Sequence, residues 1–178
     1  MSKNIILKTD FDFSLSLMQL NQDKKFIAQL VDLNAKANNY GLVITENIAR
    51  EIAVYRSKAL IENERVEINS DAISRLTSAF LETRYINQED FADTMGEIID
   101  LFYLIKTETE NTISDDDLIS EMLKIFVETC FGSLEIMKSK GLEKILRSYK
   151  FNDKTIWDDY ENTNWEDYYD TGTESWRE

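Results

Sequence analysis

Asp93, Glu97 and Asp100 stand at i, i+4 and i+7, a spacing that stacks three carboxylates on one face of a helix. Oxygen ligands in that pattern suit a hard cation such as Mg²⁺ or Ca²⁺, provided another helix adds further ligands. The three acids lie opposite the apolar residues Phe91, Met95, Ile98 and Phe102. They are therefore expected to point to water unless another surface covers them. Asp115, Asp116 and Asp117 are consecutive, so they fan out around a helix start and stabilise the positive end of its dipole. Asp10 and Asp12 share the Asp-x-Asp opening of a calcium loop, but the sixth position is not glycine and the twelfth is Asn21 where a glutamate is required.

The chain has no histidine. That removes Ser-His and Cys-His dyads, zinc fingers and His-containing di-iron sites. Cys130 is the single cysteine, so no internal disulfide forms. It falls in the apolar arc of a helix, where a thiol is a small core hydrophobe with a raised pKa. Neither the Gly-x-Gly-x-x-Gly nor the Gly-x-x-x-x-Gly-Lys-Ser/Thr pattern occurs, so nothing supports nucleotide binding. The basic run Lys138-Ser139-Lys140 reads as a helix end at the negative pole of its dipole. No cofactor is implied.

The residues best suited to recognition lie beyond residue 150. Trp157-Asp158-Asp159-Tyr160 is followed by Trp165-Glu166-Asp167-Tyr168, and Trp176 comes near the end. Large rings beside carboxylates suit a protein partner. Trp157, Asp158, Asp159, Tyr160, Trp165, Glu166, Asp167, Tyr168 and Trp176 are thus candidate protein-binding residues, with the tryptophans as anchors. Two other roles fit the same pattern: rings packed on the protein's own surface, and carboxylates imitating nucleic-acid phosphates.

The net charge is −14. Residues 151–178 hold nine acids and two bases, which makes this tail far denser in charge than the body. So acidic a chain lacks the clustered Lys and Arg that direct nucleic-acid binding needs. A basic protein partner is compatible with it. The N-terminal apolar run is too short for a signal peptide and no run reaches membrane-spanning length. The expectation is a cytoplasmic protein without membrane contact.

Proline is absent and there are only five glycines, which argues for long helices joined by short polar turns. Ile5-Ile6-Leu7 and Phe11-Asp12-Phe13 are expected to form a short strand or an extended arm. A first helix carries Phe26, Ile27, Leu30, Leu33 and Ala37, and Gly41 is available as its C-cap. Thr45 caps a second helix with the stripe Ile48, Ile52, Tyr55 and Ala59. Val66-Glu67-Ile68 alternates as a brief strand would. Ser70 or Asp71 caps a third helix, and Asn87 a fourth that carries Phe91, Met95, Ile98, Phe102 and Ile105. Ser114 starts a fifth, in which apolar residues from Leu118 to Cys130 cover about half the circumference, the mark of a helix packed on more than one side. Short helices follow around 133–138 and 142–149.

Several stretches resemble a family of small uncharacterised helical proteins of clostridia-like Gram-positive bacteria. They are Gly41-Leu42-Val43-Ile44-Thr45, the segment from Arg56 to Glu67, Tyr85 to Phe91, Leu101 to Leu118, and Gly132-Ser133-Leu134-Glu135. The resemblance covers about residues 41–150. It implies an all-helical fold in a bacterial cytoplasm, and it transfers no activity and no site.

These observations predict an all-α, single-domain bundle of about six helices over residues 1–150, with the fifth helix central. An acidic aromatic tail follows over 151–178. The leading function is a non-enzymatic protein-binding module using acidic and aromatic surface. The alternatives are a divalent-cation-dependent enzyme using carboxylates, and an acidic mimic that inhibits a DNA- or RNA-binding protein.

Overall fold

A computed structural model describes residues 24–67 and 71–150. Helix α1 covers 24–32 of these, and after a turn at Leu33 the chain continues as α2 (Asn34–Ala37) and one 3₁₀ turn (Asn38–Tyr40). Gly41 ends the run with φ of 73°. There the Leu42 N–H donates to the Ala37 carbonyl at 3.1 Å, closing the last turn as a left-handed C-cap does. The Asn34 side chain then holds the following loop from both sides. It donates to the Ile44 carbonyl at 2.8 Å and accepts from the Ile44 N–H at 2.7 Å.

Helix α3 (Glu46–Glu62) begins where Thr45 accepts from the Ile48 N–H at 3.2 Å. Its buried face is Ala49, Ile52, Ala53, Arg56 and Ala59. Ile48 and Tyr55 flank that face, half-buried, so the expected stripe is rotated. Arg56 belongs to the rotated face. It is 5% exposed, with its guanidinium 5.4 Å from the centre of the Phe26 ring, a cation–π contact that lets a charged residue turn inward.

Helix α4 (Asp71–Phe80) buries Ile73, Leu76 and Phe80 as its spacing predicts. Helix α5 spans Phe91–Glu108 and has no side-chain cap at Asp90. Asn87 does not cap it. The residues just before the helix are used instead to tie down a distant loop. Gln88 accepts from the Val43 N–H at 2.6 Å and donates to the Val43 carbonyl at 3.1 Å.

Helix α6 (Asp115–Lys124) starts at Ser114, whose hydroxyl accepts from the Asp117 N–H at 3.1 Å. It widens into a π-helical turn, Ile125–Thr129. Helix α7 (Leu134–Ile136), a second π turn (Met137–Gly141) and α8 (Leu142–Lys150) complete the fold. All regular elements among the described residues are helical, and one hydrophobic core joins them, so the fold is an all-α single-domain bundle. Val66 and Glu67 form no strand. Residues 68–70, which include Ile68 and the Ser70 cap position, lie outside the described residues, as do residues 1–23 and the tail 151–178.

The helix through Asp115–Thr129 does pack on more than one side. It meets α4 and α5, and its π turn meets Met137–Gly141. Yet α5 is the more enclosed helix, touching α3, α4, α6, α7 and α8. It buries a second row beside the expected stripe: Ala92, Gly96, Ile99, Tyr103 and Lys106. Gly96 and Tyr103 of that row face α3, whereas Lys106 turns to Ile113 and Asp115 at the start of α6.

Candidate functional site

Three carboxylates on α5 and one tyrosine on α3 form the most organised polar face. Gly96 on α5 leaves room for the Tyr55 ring of α3: a Cβ there would lie 2.6 Å from that ring. The ring lies over α5 at this point, with its hydroxyl donating to the Asp93 carboxylate. That hydrogen bond, more than any other influence, raises the Tyr55 pKa. One turn on, Glu97 pairs with Lys138 at 3.0 Å. Asp93 and Glu97 are exposed and Asp100 is half-buried, as their position opposite the apolar stripe predicted. Between them lies a shallow depression of about 180 Å³, bordered by Tyr55, Lys58, Glu62, Glu97, Asp100 and Lys138.

Such a face attracts cationic groups, as the ammonium of Lys138 on Glu97 shows. It presents carboxylates beside an aromatic ring, and both attract ammonium and guanidinium. It is not arranged to close around an ion. Among the described residues no group of three acids or thiols stands close enough to hold a metal.

The acidic corner at the start of α6 has a second role besides capping. Asp115 lies 2.8 Å from the ammonium of Lys106, which is 7% exposed and also donates to the Ile113 carbonyl at 2.9 Å. Arg75 reaches Asp116 at 2.9 Å and Asp115 at 3.7 Å. The aspartates thus join α4, α5 and α6. Glu108 and Glu110 border a small depression nearby with Thr109, Thr112 and Tyr149.

Two partly buried polar groupings escaped sequence reasoning. In one, the Tyr103 hydroxyl donates to Glu67 at 2.8 Å, and Arg65 lies 3.5 Å from Glu67 and donates to Asn111 at 2.7 Å. Burial drives the Tyr103 pKa far above the usual phenol range. In the other, burial raises the pKa of Glu121 and lowers that of Lys144. No local pattern marks either grouping, because the partners are far apart in sequence. Cys130 lies beside the second grouping, 1% exposed, its thiol pushed up to about 11 by burial. That matches the core role its helical position implied.

Trp157, Asp158, Asp159, Tyr160, Trp165, Glu166, Asp167, Tyr168 and Trp176 lie outside the described residues. The structure therefore brings together Asp93, Glu97 and Asp100 with Tyr55, and leaves the tail candidates unplaced.

A family model covering residues 29–155 matches the chain, more than half its length. The chain belongs to DUF6323, a family of unknown function. The DUF6323 match runs from the middle of α1 through α8 and stops at residue 155, so it takes in the α3–α5 face and excludes both tryptophan-centred units. No curated protein and no solved structure compared with the chain matches it. No helix among the described residues is long and apolar enough to cross a membrane.

Proposed function

We propose that this chain is a non-enzymatic protein-binding module of the bacterial cytoplasm. It engages a partner with basic surface through acidic and aromatic side chains. The observation that supports this most is the outward display of Asp93 and Glu97 beside Tyr55 on the α3–α5 pair. The tail repeats the same chemistry in sequence, with rings set among carboxylates. In this reading residues 1–150 are the folded body and residues 151–178 a second contact element. Direct nucleic-acid binding remains disfavoured by the charge of −14. A carboxylate metalloenzyme would need its acids gathered, and the described face spreads them.

The test is a pull-down from bacterial lysate with three baits: the full chain, a chain ending at Lys150, and Asp93→Asn/Glu97→Gln/Asp100→Asn. A partner retained by the full chain at low salt should be lost from at least one altered bait. It should also weaken steeply as salt rises, because the contact is charge-driven. Identical partner lists for all three baits would refute the assignment.

A further inference from the structure

An open groove of about 630 Å³ runs between α1 and α3. Ile27, Ala28 and Val31 of α1 form its apolar side. Ala28 is exposed, and Ile27 and Val31 are only half-buried. The apolar surface continues along α3. Val54 (68% exposed) and Ile61 (77% exposed) follow Arg50 on one face of that helix.

The groove is bordered by Lys24 and Asp32 on α1 and by Glu46 and Arg50 on α3. Their charges sum to zero, whereas the chain as a whole carries −14. This contrast decides what kind of partner fits. A strongly basic protein gains more from the acidic faces than from a neutral one. A second copy of this chain meets repulsion over most of its approach, and least where the surface is apolar and locally neutral.

The charges are also placed to complement themselves. Lys24 and Asp32 are eight residues apart on α1, about 12 Å along the helix axis. Antiparallel packing of two α1 helices about a two-fold axis sets Lys24 of one copy against Asp32 of the other, twice. Glu46 and Arg50 already pair with each other at 2.5 Å, so the α3 side adds no unbalanced charge. A stable homodimer needs roughly 800 Å² from each copy. The apolar residues of α1 alone are too small for that, which brings the α3 strip through Val54 and Ile61 into the contact.

We propose that the α1–α3 groove is a two-fold, self-complementary interface through which the chain pairs with a second copy of itself.

Sedimentation velocity of the full chain over a range of concentrations is the test. The wild type should show a monomer–dimer equilibrium. Lys24→Glu sets acids against acids at both contacts, and Asp32→Lys sets lysines against lysines. Each alone should weaken association by about tenfold or more. An equimolar mixture of the two variants should recover the wild-type constant, because opposite charges then meet at both contacts. This recovery also separates a lost interface from lost folding. A wild type that stays monomeric up to about 0.1 mM would overturn the proposal, as would a mixture that fails to recover.

Discussion

The Lys106 ammonium lies 2.8 Å from Asp115 with only 8% of its side chain exposed, while the Asp115 side chain is 37% exposed. That asymmetry predicts unequal costs for removing each partner. Asp115→Asn leaves a buried ammonium with the Ile113 carbonyl but without its counter-charge. The expected loss is about 2 kcal/mol, the scale of a hydrogen bond to a charged group. Lys106→Met removes the buried charge itself and leaves an aspartate that water and Arg75 can still satisfy. It should cost less than Asp115→Asn. Urea unfolding should show both midpoints lowered with unchanged slope. A larger loss from Lys106→Met would contradict the asymmetry.

The α3–α5 contact depends on Gly96. An added methyl would overlap the base of the Tyr55 ring at 2.6 Å, so either the ring or the helix pair must shift. Gly96→Ala should destabilise by about 1–3 kcal/mol, as overpacking does, and lower Tm by about 2–4 °C per kcal/mol. Tyr55→Ala in the same chain should recover part of the loss, since the obstructing ring is gone. Thermal unfolding of the two single variants and the double variant measures this coupling. Additive losses would show that Gly96 is not held small by Tyr55.

Features encoded within a few residues were legible in the sequence. Thr45 and Ser114 cap their helices because the hydroxyl needs only the N–H three positions on, and Gly41 takes the left-handed φ that glycine tolerates. The outward acids of α5 followed from helical period alone. Features that depend on distant partners were not legible. Gln88 reaches Val43, 45 residues away, so the side chain before α5 holds a distant loop and does not cap the helix. Arg56 turns inward because Phe26 from another helix lies under it. Gly96 and Tyr103 lie on a row that becomes a buried face only when α3 packs there, and Lys106 on the same row is covered from the start of α6. Periodicity showed the stripe through Phe91 and Met95, and could not reveal that a second helix covers the neighbouring row.

Cys130 provides a reporter of opening. Its pKa is raised from 9.0 to about 11 by burial, which lowers the thiolate fraction near neutral pH by about a hundredfold. Steric closure adds to this, since the residue is 1% exposed. Reaction with a chromogenic disulfide at pH 8 should therefore be slower by two orders of magnitude or more in the folded chain than in urea. A folded-state rate within tenfold of the unfolded rate would place the thiol at the surface.

Glu121 makes stability depend on pH in a stated direction. One of its carboxylate oxygens is enclosed and has no hydrogen-bond partner. Burial raises its pKa, against the opposing charges of Lys124 and Lys144. A raised carboxyl pKa means that the folded state binds the proton more tightly than the unfolded chain does. Between the ordinary glutamate pKa and the folded value, stability then falls as pH rises. Above that window the ionised side chain carries its full desolvation cost. Below the unfolded pKa the cost is absent. Glu121→Met removes the charge and keeps the bulk, so it should stabilise the protein at pH 7. The gain should shrink as pH is lowered through the window. Urea midpoints of both proteins from pH 4 to pH 8 give the difference directly. A gain that stays constant across that range would assign the effect to packing, because a buried charge must lose its penalty once it is protonated.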